Sequence, residues 1–249
     1  MTSTYDRIAR FYDVDMAQNM RFDDVAFYAH QCARANGRVL ELGCGNGRIL
    51  LPLLERGTDV VGIDASAPML AELRRKAAKR ALPARVARAD ARRLPFAAGF
   101  ATVLCPYSLI TYMTSDEDAQ AMLAAARAVL APRGLIVVDA FVPRPTVATG
   151  EFTPDYERAF GTLTLARSKR ITHVDGRSNR IERHYELRRG DGRVAETIEV
   201  EETITPYAPP RLRAAVAAAG FVAVDEAWDY ATRPGETGAQ FFTLVARKA

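Results

Sequence analysis

Three cysteines, three histidines and one tryptophan are all that 249 residues contain of these types, and no apolar run approaches the roughly 18 residues that cross a bilayer. Each scarcity removes a class of function. Cys32, Cys44 and Cys105 lie far apart and in no C-x-x-C spacing, so neither a disulfide framework nor a metal motif is written here, and a reducing compartment is expected. The opening Met-Thr-Ser-Thr-Tyr-Asp-Arg lacks the apolar core of a signal peptide, which makes the expected location cytoplasmic, with no membrane partner. The net charge is only +4. Much of the basic character falls between Arg74 and Arg93, a run that reads as the solvated face of a helix and its following strand. No interleaved aromatics or recognisable nucleic-acid module accompanies it, so no nucleic-acid partner is expected.

What is present is the composition of a globular α/β protein, nearly half apolar and about a quarter charged. Residues 3–35 read as helical and carry Tyr5, Phe11, Tyr12, Phe22, Phe27 and Tyr28, with a break near Asn19-Met20. Strands and helices then alternate. Strands are expected at about 38–42, 59–63, 84–88, 101–105 and 135–138, and helices after the first at about 49–56, 67–80 and 116–130. Near-continuous apolar strands separated by amphipathic helices indicate a parallel sheet covered on both faces. The rhythm changes after residue 142, where Pro143, Pro145 and Gly150 mark a boundary. Three longer strands at about 162–173, 180–189 and 194–204 follow, joined by turns at Asp175-Gly176 and Asp191-Gly192 that carry hairpin signals. A helix at about 210–219 and strands at about 221–229 and 239–247 close the chain. The expected organisation is one domain over 1–249, with an N-terminal helical lid at 1–36 and an antiparallel three-stranded insert at 143–208.

The segment richest in chemistry is 39–47, Val-Leu-Glu-Leu-Gly-Cys-Gly-Asn-Gly, an apolar strand running into a turn with glycine at every second position. Such a turn lets a ligand approach the backbone closely. A dinucleotide fingerprint starting at Gly43 requires glycine at position 48, and the chain has Arg48. Glu41, just before the turn, would repel a pyrophosphate but suits a cation. S-adenosylmethionine (SAM), with a sulfonium, an ammonium and no phosphate, meets that description, and a nicotinamide oxidoreductase does not. Asp64, at the end of the second strand, is placed to accept both ribose hydroxyls, and Asp90 with Ala91, after the third, to meet the adenine edge. The other reading of Asp64 is a helix N-cap, and that of Asp90 a solvated turn acid.

Taken together, Val39–Gly47, Gly62-Ile63-Asp64, Ala89-Asp90-Ala91 and Leu130–Asp139 resemble the class I SAM-dependent methyltransferases. The resemblance implies a Rossmann-like seven-stranded sheet in the order 3-2-1-4-5-7-6, with the final strand antiparallel, SAM as cofactor and S-adenosylhomocysteine as product. It implies a cofactor site drawn from Glu41, Gly43, Cys44, Gly45, Asn46, Asp64, Ala65, Met69, Asp90, Ala91 and Pro106. The N-terminal Tyr5–Asp13 segment is similar to the opening of small-molecule aminosugar and glycine N-methyltransferases, which implies that Tyr12 or Tyr5 offers its hydroxyl to the methionine carboxylate; Tyr12 is the candidate carried forward. In that branch the insert roofs the substrate pocket.

The expected activity is methyl transfer to a nitrogen or oxygen of a small-molecule acceptor. The alternative is a methyltransferase-like protein that binds SAM without transferring methyl. In-line displacement at a carbon that already carries a good leaving group proceeds through alignment and desolvation, which supply about 7–11 kcal/mol. A base is needed mainly where the acceptor must first lose a proton. No residue stands out as one. His184, on an insert strand between Glu182 and Glu186, and His173, beside a hairpin turn, are the histidine candidates, and His30 sits on an N-terminal helix. Tyr107, Ser108 and Tyr112, in the segment after the fourth strand, are expected to shape the pocket. The alternation of the insert also fits a homodimer interface through its edges.

Overall fold

The computed structural model describes residues 4–17, 20–143, 150–231 and 238–249. Asn19 and Pro145, two of the expected break points, lie outside the described residues. The chain forms two compact units, one of residues 22–143 and 206–249, the other of residues 1–21 and 144–205.

The larger unit is built on a seven-stranded sheet. Its elements are helix α3 (Asp24–Ala35), strand β1 (Val39–Leu42), α4 (Leu50–Glu55), β2 (Val60–Asp64), α5 (Ala67–Lys79), β3 (Arg85–Arg88), β4 (Phe100–Cys105), α6 (Asp116–Val129) and β5 (Leu130–Phe141). They continue after residue 205 with α7 (Pro209–Ala218), β10 (Phe221–Trp228) and β11 (Phe241–Lys248). The strand order is β10-β11-β5-β4-β1-β2-β3, and β11 runs antiparallel to both its neighbours. This is the expected order, with the final strand reversed. The chain winds outward from β1 to β3 and then returns to β4 on the other side of β1, which leaves a crevice at the carboxyl ends of β1 and β4, where open α/β sheets bind ligands. The helices start where the local chemistry satisfies their free N–H groups. Asp23 accepts from Ala26 N at 2.9 Å, Ser66 from Met69 N at 3.3 Å and Ser115 from Asp118 N at 3.1 Å. Leu40, Leu42, Val103, Ile136 and Val138 fill the core with Met122, Leu123 and Phe242, all fully buried.

One boundary differs from expectation. The fifth strand runs over Leu130–Phe141, not 135–138, because Phe100 pairs with Leu130 and Thr102 with Leu135, so Pro132-Arg133-Gly134 form a bulge within the strand.

The smaller unit holds α1 (Thr4–Ile8), a 3-10 turn at Ala9–Phe11, α2 (Tyr12–Met16), and strands β6 (Thr153–Phe160), β7 (Leu163–His173), β8 (Asn179–Arg188) and β9 (Val194–Ile204). The insert is thus four-stranded and antiparallel, in the order β6-β7-β8-β9, where three strands were expected. The added strand, β6, contains a proline and alternating charge, so it gives little apolar signal. The Asp-Gly turns lie where expected. Asp175 accepts from Arg177 N and Ser178 N at 2.7 and 2.6 Å, and Gly192 takes φ +82°. Ile8 and Phe11 pack on Leu165, Tyr185, Leu187 and Ile198. Beneath them Asp15 is buried, accepting from Arg167 at 2.5 Å and from the hydroxyls of Tyr156 and Tyr185. The N-terminal helices expected as one lid therefore divide, with α1 and α2 in this unit and α3 in the larger one. Among the described residues no helix is long and apolar enough to cross a membrane.

Candidate cofactor site at the end of the first strand

The glycine turn leaves β1 in a conformation that side chains would oppose. Gly43 has φ +64° and Gly45 φ +53°. A Cβ at Gly43 would stand 2.9 Å from Leu109 Cδ1, and one at Gly45 3.2 Å from Met69 Cε. At both positions the left-handed backbone disfavours a larger residue, and a Cβ would also press on the ends of neighbouring side chains. The turn is braced by Asp64 at the end of β2, whose carboxylate accepts from Gly45 N at 2.8 Å through one oxygen and from Ser66 N at 2.7 Å through the other. Asp64 therefore joins the turn to the start of α5, while Ser66 is the N-cap. Cys44 is buried in the turn, and its N–H bonds Ile63 O at 2.9 Å. Gly62 is what admits the Cys44 side chain, since a Cβ there would lie 2.7 Å from Sγ.

Glu41 is the unusual group. Its side chain is only 2 % exposed, and Oε2 has no hydrogen-bond partner among the described residues. Burial pushes its carboxyl up to about 8; nearby Arg48 opposes this, and Asp64 and Asp24 reinforce it. A buried carboxylate oxygen without a donor is costly, and a cationic or N–H-bearing ligand would relieve that cost. The residues present therefore fit SAM: an unsatisfied acid, a turn with glycine at every second position and a second carboxylate at the neighbouring strand end.

Arg48, which departs from the dinucleotide fingerprint, pairs with buried Asp24 at 2.7 Å and lies 5.1 Å from the centroid of the Tyr107 ring. Burial raises the Asp24 carboxyl and the Arg48 guanidinium lowers it, with burial prevailing.

The remaining expected residues fall in several places. Asn46 and Met69 are buried, Ala65 is exposed at the head of α5, and Pro106 is buried at the end of β4. Asp90 is 42 % exposed and held by Arg92, whose Nη2 and backbone N reach it at 2.7 and 2.8 Å. Those bonds hold its carboxyl below the usual range, and an adenine amine would have to share it with Arg92. Tyr12 belongs to the smaller unit, where its ring packs edge-on against Tyr5 at 5.9 Å. His184 lies between Glu186 (3.4 Å) and Glu199 (3.3 Å) on β8, the solvated polar face that strand parity suggests. His173 bonds Asn179 Oδ1 at 2.7 Å at the hairpin end, and His30 is exposed on α3.

Sequence reasoning missed Asp139. This carboxylate, fully buried near the end of β5, accepts from Tyr28 OH, from Tyr230 OH (2.6 Å), from Tyr107 N (3.1 Å) and from Ser108 N (2.5 Å). Its signal was present as a charge inside the apolar run Leu135–Ala140. Its partners, on α3, after β4 and after β10, are too distant in sequence to be inferred.

Comparison with known proteins agrees with this geometry. Residues 39–134 match the family model described as a methyltransferase domain. The demethylmenaquinone methyltransferase of Thermus thermophilus is 37% identical over 151 residues, which is 59% of this chain and 64% of that protein. The dTDP-3-amino-3,6-dideoxy-α-D-glucopyranose N,N-dimethyltransferase of Streptomyces fradiae is 29% identical over 79% of this chain and 74% of its own length. The chain thus spans about two thirds to three quarters of these relatives. A SAM-dependent methyltransferase from Clostridium acetobutylicum superposes with a TM-score of 0.81 over 98% of both chains at 17% identity, which speaks to the fold. A sheet that reverses only at its last strand and a family model matching at the glycine turn agree: residues 39–134 are similar to a methyltransferase domain, and the chain has the fold of a SAM-dependent methyltransferase.

Proposed function

We propose that the chain transfers a methyl group from SAM to a nitrogen of a small-molecule acceptor, with an oxygen acceptor as the second choice and S-adenosylhomocysteine as the product. The observation that carries the reading is the buried, donor-free oxygen of Glu41 at the head of the glycine turn. When bound, SAM supplies an electrophilic methyl on a sulfonium. Glu41 takes the cationic end of the cofactor, Gly43 and Gly45 let it lie against the backbone, and Asp64 keeps lone pairs for the ribose hydroxyls beside its two backbone bonds. Asp90 and Ala91 remain the candidates for the adenine edge.

Nitrogen is preferred because no histidine is arranged as a base. His184 is engaged by two glutamates, His173 by Asn179, and His30 is exposed. An amine already deprotonated in solution needs only alignment and exclusion of water. The Streptomyces relative, named for an aminosugar, suggests that chemical class.

Calorimetric titration with S-adenosylhomocysteine tests the cofactor part. Micromolar binding is expected for the wild type, and at least tenfold weaker binding for Asp64→Ala. A panel of a nucleotide-linked 3-aminosugar, simple primary amines and phenols, followed by mass spectrometry for a gain of one methyl, tests the acceptor part. Absence of binding by the wild type would overturn the reading. Methylation of phenols alone would replace nitrogen by oxygen.

A further inference from the structure

Tyr107 and Ser108, the two residues after Pro106 at the end of β4, both lie in the left-handed region, at φ +54° and +57°. Neither is glycine, and side chains with a Cβ seldom adopt that conformation even singly. Two in succession require something to hold them. That something is Asp139. Its two oxygens take the N–H groups of Tyr107 and Ser108, at 3.1 and 2.5 Å. The hydroxyls of Tyr28 and Tyr230 clamp the same carboxylate from α3 and from the turn after β10. Four donors from three separate elements thus converge on one buried acid, three on Oδ2 and one on Oδ1.

The conformation held in this way has a visible product. The Tyr107 ring stands edge-on to Phe141 at 5.4 Å and tilted against Phe241 at 5.8 Å, with the Arg48 guanidinium near its centroid. Tyr107 is half-buried and Phe141 is 37 % exposed, so an aromatic face remains open at the carboxyl ends of β4 and β5. That is the edge of the sheet where ligands of this fold class bind. A turn needed only to join β4 to the next helix would be met more simply by glycine. Here the chain keeps a tyrosine in a strained position and supplies a buried acid to hold it.

We propose that Asp139 is a positioning residue for the methyl acceptor: by accepting the N–H groups of Tyr107 and Ser108 it locks the segment after β4 and fixes the Tyr107–Phe141 face against which the carbon skeleton of the acceptor packs. The proposal rests on the methyl-transfer reading above. It assigns Asp139 no proton transfer, and it separates acceptor recognition at the end of β4 and β5 from cofactor recognition at the end of β1 and β2.

Asp139→Asn keeps the side-chain volume but turns an NH2 group toward N–H donors, so it breaks the lock with little loss of packing. Its crystal structure needs no acceptor. Tyr107 and Ser108 are expected to leave the left-handed region and the Tyr107 ring to leave Phe141; finding both unmoved overturns the proposal. In solution, affinity for S-adenosylhomocysteine should stay within threefold of wild type, while kcat/KM for the panel amine that the wild type methylates best falls at least 30-fold. Equal losses in both would reduce Asp139 to a general structural role and overturn the proposal. Ser108→Gly in the Asp139→Asn background should recover activity about tenfold, because glycine adopts φ +57° unaided; no recovery counts against the lock. Should Asp139→Asn fail to fold, Tyr107→Ala removes only the half-buried ring. It is expected to raise KM for the amine at least tenfold with cofactor affinity unchanged, and an unchanged KM sinks the proposal. A wild type that binds S-adenosylhomocysteine but methylates nothing in the panel would refute the acceptor class, while the Asp139→Asn structure still decides the lock.

Discussion

Two buried carboxylates, at the carboxyl ends of neighbouring parts of one sheet, are treated in opposite ways. Asp139, near the end of β5, is surrounded by four donors and joins three elements. Glu41, in β1, has an oxygen with no donor among the described residues and a carboxyl pushed up to about 8. Burial raises both carboxyls, but only at Asp139 do hydrogen bonds from the protein work against that rise. A saturated acid holds structure in place. An unsaturated one, kept at a standing cost beside a glycine-rich turn, is the kind of group that a bound ligand would satisfy. Burial alone therefore does not distinguish scaffold from site, whereas the donor count does.

The contrast predicts stability changes of opposite sign. Asp139→Ala, which strands two backbone N–H groups and two hydroxyls, should destabilise the protein by about 3–5 kcal/mol in urea unfolding at pH 7. A change under 1 kcal/mol would show that the four bonds are not made as drawn. Glu41→Gln should instead stabilise the ligand-free protein at pH 7, by roughly 2–3 kcal/mol, because glutamine escapes the cost of holding a proton against the pH. The sign follows from linkage. The folded carboxyl, at about 8, lies above its ordinary 4.5, so between those values the folded protein holds a proton that the unfolded chain has released. Wild-type stability should therefore fall as pH rises through that window, relative to Glu41→Gln, and level off above it. Parallel pH profiles for the two proteins would contradict the assignment. The smallest effect belongs to Asp90, whose pair with Arg92 is 42 % and 40 % exposed. Asp90→Asn should change stability by less than about 1 kcal/mol. If Asp90 also meets adenine, affinity for S-adenosylhomocysteine should drop about fivefold. Unchanged affinity would leave it a surface ion pair.

The same contrast bears on what could be read from the sequence. Glu41, Gly43, Gly45 and Asp64 were legible because their chemistry is local: a strand, a turn and a second strand end at fixed spacing. Alternation pointed to a parallel sheet, the resemblance alone implied the order of the seven strands, and two of the three hairpin turns of the insert followed from their Asp-Gly pairs. Asp139 was not legible as a hub, since Tyr28, Tyr107 and Tyr230 meet it only after the sheet has formed. Arg48 could be read as the absence of a glycine, but not as the partner of Asp24 or the neighbour of Tyr107. Strand β6 escaped because Thr153–Phe160 lies at a sheet edge and alternates charge rather than hydrophobicity. The division of the N-terminal helices between units was hidden because the aromatics of 5–12 and of 22–28 look alike in sequence yet pack on different sheets.

The most direct test is calorimetric binding of SAM at pH 7 in two buffers of different ionisation enthalpy, for wild type and Glu41→Gln. With a free carboxyl at about 8 and a cation-bound one ionised, wild-type binding should release close to one proton. Glu41→Gln should release none from this site and bind at least tenfold more weakly. Tight binding with no proton release, or identical release from both proteins, would contradict the assignment of Glu41 as the acid held ready for the cofactor's positive charge.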